Sequence, residues 1–174
     1  FIMMEVLRMD MQVYITNLGK YNEGELVGAW FQPPISLEEV KEKIGLNSQY
    51  EEYAIHDYEL PFEINEYTSI SEINRLCSLV SEIEGTPIFK EIKEIQNMWF
   101  SNFEDLINHK DDIFYYPDCD SMEDVAAYYI EETGQLGEVP SNLRNYIDYQ
   151  ALGRDMEMEG NFLVTSNGVF EYLG

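Results

Sequence analysis

Residues 11–18, MQVYITNL, alternate apolar and polar side chains and predict a β-strand, because successive strand side chains face opposite sides. A loop over 19–24 leads to a second strand over 25–31, and the pair reads as a hairpin. Pro33 and Pro34 end it. Ser36 and Glu39 make a capping box for a short helix that stops at Gly45. Residues 51–58 read as a third strand, which completes a small α+β unit.

The pattern changes near Ser69, which forms a second capping box with Glu72. Ile70, Ile73, Leu76, Cys77, Val80 and Ile83 recur at helical spacing up to Gly85. Thr86 then caps a further helix opened by Pro87, with Ile88, Phe89, Ile92, Ile95 and Trp99 on its inner face. Asn102 caps a third, carrying Phe103, Leu106 and Ile107.

From Asp111 the chain is mixed again. A strand is expected over 113–116, a Ser121-capped helix to Thr133 with Gly134 at its end, and a helix from Pro140-Ser141 through Asp148. Met122, Val125, Ala126, Tyr129 and Ile130 would form the inner face of the helix over 121–133. Strands over 162–166 and 169–173 flank Asn167-Gly168, a strong hairpin signal. The expected fold class is α+β, in three small domains: 10–69 (α+β), 70–110 (helical) and 111–174 (α+β), after an extra N-terminal segment over 1–9.

Composition then shows what these elements carry. The chain has 34 acidic against 10 basic residues and a formal charge of −24, with 45% hydrophobic and 14% aromatic residues. Disordered acidic tails lack that apolar material, so the charge sits on a folded surface. Solubility of a small domain needs a magnitude of only roughly 2–8. A basic partner is the better explanation, and the common basic surfaces are those that bind nucleic acid. Direct nucleic-acid binding by this chain is disfavoured, because phosphates would be repelled.

The acids are concentrated where cations are missing. Residues 45–74 hold no Lys or Arg, but carry Glu51, Glu52, Asp57, Glu59, Glu63, Glu66 and Glu72. Residues 111–143 hold none either, and carry Asp111, Asp112, Asp118, Asp120, Glu123, Asp124, Glu131, Glu132 and Glu138. Ordinary exposed helices mix signs in i,i+4 pairs, whereas Asp120, Asp124 and Glu131 share an outer face without a cation in that stretch. B-DNA bears about one charge per 1.7 Å of axis, so a charge of this size matches roughly 40 Å of duplex, about 12 base pairs. A compact globule of this length has a diameter near ~40 Å.

Other chemistry is poorly supported. Counting from Asp118, an EF-hand would need Gly where Glu123 stands and Glu where Tyr129 stands. His56, His109, Cys77 and Cys119 lack zinc-finger spacing, and a Cys119–His56 nucleophile pair has no better support. The glycines around Gly134 and Gly137 form neither a GxGxxG nor a Walker pattern. No catalytic residue, metal or cofactor is expected. Two cysteines without a disulfide framework suit a reducing, cytoplasmic compartment, and no apolar run approaches the ~20 residues of a membrane span.

Three blocks carry a family likeness: residues 11–33, MQVYITNLGKYNEGELVGAWFQP; residues 50–62, YEEYAIHDYELPF; and residues 121–155, SMEDVAAYYIEETGQLGEVPSNLRNYIDYQALGRD. They resemble the ArdA antirestriction family of conjugative plasmids and transposons, and YYIEETGQLGEVP is similar to that family's antirestriction motif. The resemblance implies an elongated, curved homodimer of three small domains per chain, with the dimer contact in the C-terminal domain. It implies a DNA mimic whose partner is a Type I restriction–modification enzyme, bound in the DNA groove of the methyltransferase and specificity core. Arg144 and Arg154 would serve internal ion pairs or the dimer contact. The competing readings are an acidic adaptor or chaperone for another basic nucleic-acid-binding protein, and an enzyme with a carboxylate or metal site.

Overall fold

A computed structural model describes residues 10–174, so the segment expected over 1–9 lies outside the described residues. The chain divides into two compact units, one ending at Gly85 and the other spanning Thr86–Gly174.

The first unit is built on an antiparallel sheet of order β2-β1-β3, with β1 at Gln12–Asn17, β2 at Gly28–Phe31 and β3 at Tyr53–Glu59. Between β1 and β2 the expected loop is partly helical. Helix α1, Leu18–Asn22, forms because the Asn17 side chain accepts from the Lys20 amide at 3.1 Å, and β2 accordingly starts later than its alternation predicts. Helix α2, Leu37–Ile44, is capped by Ser36 and closed by Gly45 at φ 70°, as the capping box requires. Its Val40 and Ile44 pack into a core with Val13, Ile15, Phe31 and Ile55.

Helix α3, Ile70–Leu79, is capped by Ser69 and belongs to this same unit. Its Asn74 donates to and accepts from the Ile35 backbone at 2.8 and 2.6 Å, and its first amide donates to the Tyr53 hydroxyl at 3.0 Å. A 3₁₀ turn over Val80–Glu82 completes this unit, and the rest of the helical stretch belongs to the second. Pro87–Glu91 winds as 3₁₀ turns without a side-chain cap from Thr86, so the α-helix expected from Pro87 begins only at Ile92. It forms α4, Ile92–Trp99, followed by α5, Phe103–Asn108, capped by Asn102.

The second unit also holds an antiparallel sheet of order β4-β6-β5: Ile113–Tyr116, Gly168–Tyr172 and Phe162–Thr165. The hairpin turn lies one residue before its expected place, with Thr165 opposite Gly168. The Thr165 hydroxyl donates to the Gly168 carbonyl and accepts from the Asn167 amide, closing the turn over Ser166 and Asn167. Helix α6, Met122–Glu131, packs on Tyr116, Cys119 and Val169 through Met122 and Val125. Tyr128, not the expected Tyr129, faces this core, with its ring 5.6 Å from Tyr116 and edge-on, while Tyr129 is exposed.

The helix expected through Asp148 is only the short α7, Ser141–Arg144. A separate helix, α8, Tyr149–Glu159, follows, with Asp148 accepting from the Ala151 amide at 2.9 Å. The expected elements do not include it. Its Gly153, an unfavourable residue inside a helix, is where α8 meets α6: a Cβ there would clash with the Met122 carbonyl oxygen. Among the described residues no helix is long and apolar enough to cross a membrane.

Candidate functional site

In the first unit the sheet has one buried and one open face. Val13 and Phe31 are paired neighbours on the inner face, while Tyr14 pairs with Trp30 on one side and Asp57 on the other. The register shifts between Tyr14 and Ile15, so that Tyr14 pairs with Asp57 but Ile15 with Ile55. His56 is therefore the extra residue of a β-bulge, and simple alternation no longer applies. The bulge lets Ile55 and Tyr58 both face inward across an odd interval, which turns Asp57 and Glu59 together to the open side. A strand spaces such i,i+2 neighbours by about 6.7 Å. Gln12 donates to Glu59 at 2.7 Å, and His56 lies against the Tyr21 ring at 4.7 Å.

Glu51 and Glu52 precede β3 and are exposed, as are Glu63 and Glu66 in the connection to α3. Glu51 and Glu52 line an open hollow of about 370 Å³ with Leu18, Tyr53, Tyr67 and Ser69. The Tyr67 hydroxyl is pushed up by its hydrogen bond to Glu66, and Tyr50 by its hydrogen bond to Glu23, so the acidic surroundings hold both phenols neutral.

Glu72 differs from the rest. Arg75 grips it with two hydrogen bonds, from Nε at 2.9 Å and Nη2 at 2.6 Å, which holds its carboxyl below the usual range. The cation lies one helical turn on, just outside the cation-free stretch.

In the second unit Asp111 is in an ion pair with Lys110 at 3.3 Å, while Asp112 is exposed beside it. Asp118, Asp120, Glu123 and Asp124 surround the start of α6. Ser121 accepts from the Asp124 amide at 3.2 Å, and the Asp124 carboxylate accepts from the Asp120 amide at 3.0 Å. These acids favour the positive end of the helix dipole, so their position is locally stabilising even without a cation. Burial pushes the neighbouring Cys119 thiol up, and the charges of Asp124, Asp118 and Asp120 add to the shift.

Glu131 accepts from the Tyr149 hydroxyl at 3.1 Å and, with Glu138 and Arg144, lines a hollow of about 100 Å³. Glu132 is exposed next to it. Of the acids named from the sequence, all but Glu72 are exposed. The contrast with α2 is direct. There Lys41 pairs with Glu38 at 3.2 Å and Lys43 with Glu39 at 2.7 Å, whereas α6 has no ion pair among the described residues. Arg144 and Arg154 are exposed and form no ion pair with a described residue.

The sequence reading overlooked the buried carboxylate Glu91, which accepts a hydrogen bond from the Asn167 side chain. It lies in a segment whose apolar periodicity draws attention away from its acids. Cys77 and Cys119 are buried and free, and burial pushes the Cys77 thiol up to about 12. No group of three or more His, Cys, Asp or Glu side chains among the described residues is arranged to hold a metal ion.

No curated protein matches the sequence. The model of the antirestriction protein family ArdA matches residues 13–171, nearly the whole length, and the chain belongs to that family.

Proposed function

We propose that the chain inhibits Type I restriction–modification enzymes by occupying the DNA groove of their methyltransferase and specificity core, its carboxylates standing in for phosphates. The observation that carries this reading is the set of exposed acids in two cation-free stretches, Glu51 to Glu66 and Asp112 to Glu138, on segments that also bear the family blocks. Self-repulsion on this scale opposes folding, and an oppositely charged groove offsets it. The chain acts as a homodimer joined through its last third. Leu136, Leu143, Tyr146 and Met158 leave large apolar area exposed there, and Arg144 and Arg154 supply cations with no ion pair among the described residues.

A competition titration tests the function. Duplex DNA and the full chain are titrated against a Type I methyltransferase core at several salt concentrations. Mutual displacement is expected, with an affinity that falls steeply as salt rises. Simultaneous binding of DNA and chain, or capture of other basic proteins with no restriction or methyltransferase subunit, overturns the reading in favour of an acidic adaptor.

A further inference from the structure

Charge mimicry alone gives no account of the aromatic side chains on the open face of the first sheet. Trp30, Tyr14 and Asp57 lie on one rung across the three strands, from the register of β1 with both neighbours. The Tyr14 and Trp30 rings are 5.4 Å apart at 60°, and Trp30 remains 41% exposed. An array of solvated carboxylates needs no indole at its surface. Leaving one there forgoes the apolar burial that would otherwise stabilise the fold.

The neighbouring groups define what such a surface would take. Asp57 has no ion-pair partner among the described residues, and Glu59 on the same side has only the neutral Gln12 amide. Adjacent strands are about 4.8 Å apart, so Trp30 and Asp57 stand roughly 10 Å from each other across β1. A guanidinium group is flat, stays charged and is weakly hydrated. It can stack on an aromatic face while its edge donates to a carboxylate, which a compact ammonium does less well. Phosphates would meet Asp57 and Glu59 with repulsion.

We propose that this open sheet face is an arginine-binding surface, with Trp30 and Tyr14 as the stacking platform and Asp57 as the carboxylate acceptor. In the complex inferred above, on which this proposal rests for its partner, the arginine is one of the side chains that would otherwise hold a DNA phosphate. The sheet face thus adds a contact that duplex DNA does not make in the same form, and this contact is less sensitive to salt than the carboxylates.

The test measures the full chain against the Type I methyltransferase core over a salt series, with Trp30→Ala, Trp30→Phe and, as an exposed apolar control, Leu26→Ala. Trp30→Ala is expected to weaken binding about tenfold at every salt concentration without changing the salt slope. Trp30→Phe should keep most of the affinity, and Leu26→Ala all of it. Wild-type affinity in Trp30→Ala overturns the proposal.

A second measurement is independent of the methyltransferase. In a Trp99→Phe background, Trp30 emission is followed during titration with oligo-arginine and oligo-lysine peptides of equal length. A response to oligo-arginine at several-fold lower concentration is expected, and equal responses overturn the proposal. If the methyltransferase is not bound at all but Trp30 still selects arginine, the inhibitory role fails while the sheet-face assignment stands.

Discussion

Arg75 holds the Glu72 carboxylate through two parallel hydrogen bonds of 2.9 and 2.6 Å, one helical turn apart on α3. Both side chains are about two-fifths exposed, so the pair contributes at most about 1 kcal/mol to folding. On the proposed function its consequence is larger, because it cancels a charge that the sequence alone would count toward the array. Glu72→Gln should therefore leave inhibition and its salt slope unchanged. Arg75→Gln should hold or tighten binding, since it frees the carboxylate. Competition against duplex DNA at two salt concentrations measures both variants, and a marked loss in Glu72→Gln would contradict the assignment.

On the proposed function, the remaining exposed acids act as a distributed set, each worth little by itself. Asp124→Asn keeps an oxygen to accept from the Asp120 amide, and Glu131→Gln keeps one for the Tyr149 hydroxyl, so both fold normally. Each alone should change inhibition by less than about twofold, within the range of a single exposed pair. Joint neutralisation of Glu51, Glu52, Asp57, Glu59, Glu123, Asp124, Glu131 and Glu132 should abolish inhibition and flatten the salt dependence. Complete loss from one isosteric change would point to a discrete site instead.

Gly153 brings α8 against the start of α6, with space for no Cβ beside the Met122 carbonyl oxygen. Gly153→Ala removes an unfavourable helix glycine, which by propensity alone would stabilise by about 1 kcal/mol. The backbone clash outweighs that gain. A net loss of roughly 1–3 kcal/mol is expected in denaturant unfolding. A stabilised variant would show that the two helices separate at little cost.

Stability should fall in alkaline solution. Burial raises the Cys77 thiol from 9.0 to about 12. Burial, together with a hydrogen bond donated to Glu171, raises the Tyr116 hydroxyl above 10.0. Both folded values exceed the unfolded ones, so their contribution is complete below about pH 9 and is lost as pH rises through the folded values. Denaturant unfolding at pH 8 and pH 10.5 should show the drop, and Cys77→Ala with Tyr116→Phe should make it smaller. An equal drop in the double variant would assign the alkaline sensitivity to other groups.

Local rules placed most elements of this chain. Ser36, Ser69, Asn102 and Ser121 cap the helices their spacing indicated, because a cap depends only on residues within one turn. The same locality explains the misses. Asn17 makes α1 only because its strand ends against α2, where its amide donates to the Ile44 carbonyl at 3.1 Å. Tyr128 rather than Tyr129 turns inward because the Tyr116 ring receives it, a residue from another element. The bulge at His56 has no signature in an alternating pattern, yet it decides that Asp57 and Glu59 share the open face.

The sequence by itself determined the α+β character, the caps, the excess of acid and its separation from Lys and Arg, since these follow from composition and from neighbours along the chain. Which face the strand carboxylates take was decided only by the tertiary structure: Asp57 and Glu59 reach the open side through the bulge at His56, whereas the pairs Glu72–Arg75 and Lys110–Asp111 join residues within one helical turn of each other along the chain. The rung of Trp30, Tyr14 and Asp57 exists because strand register brings together residues far apart in the chain, and register is set by packing of the buried face.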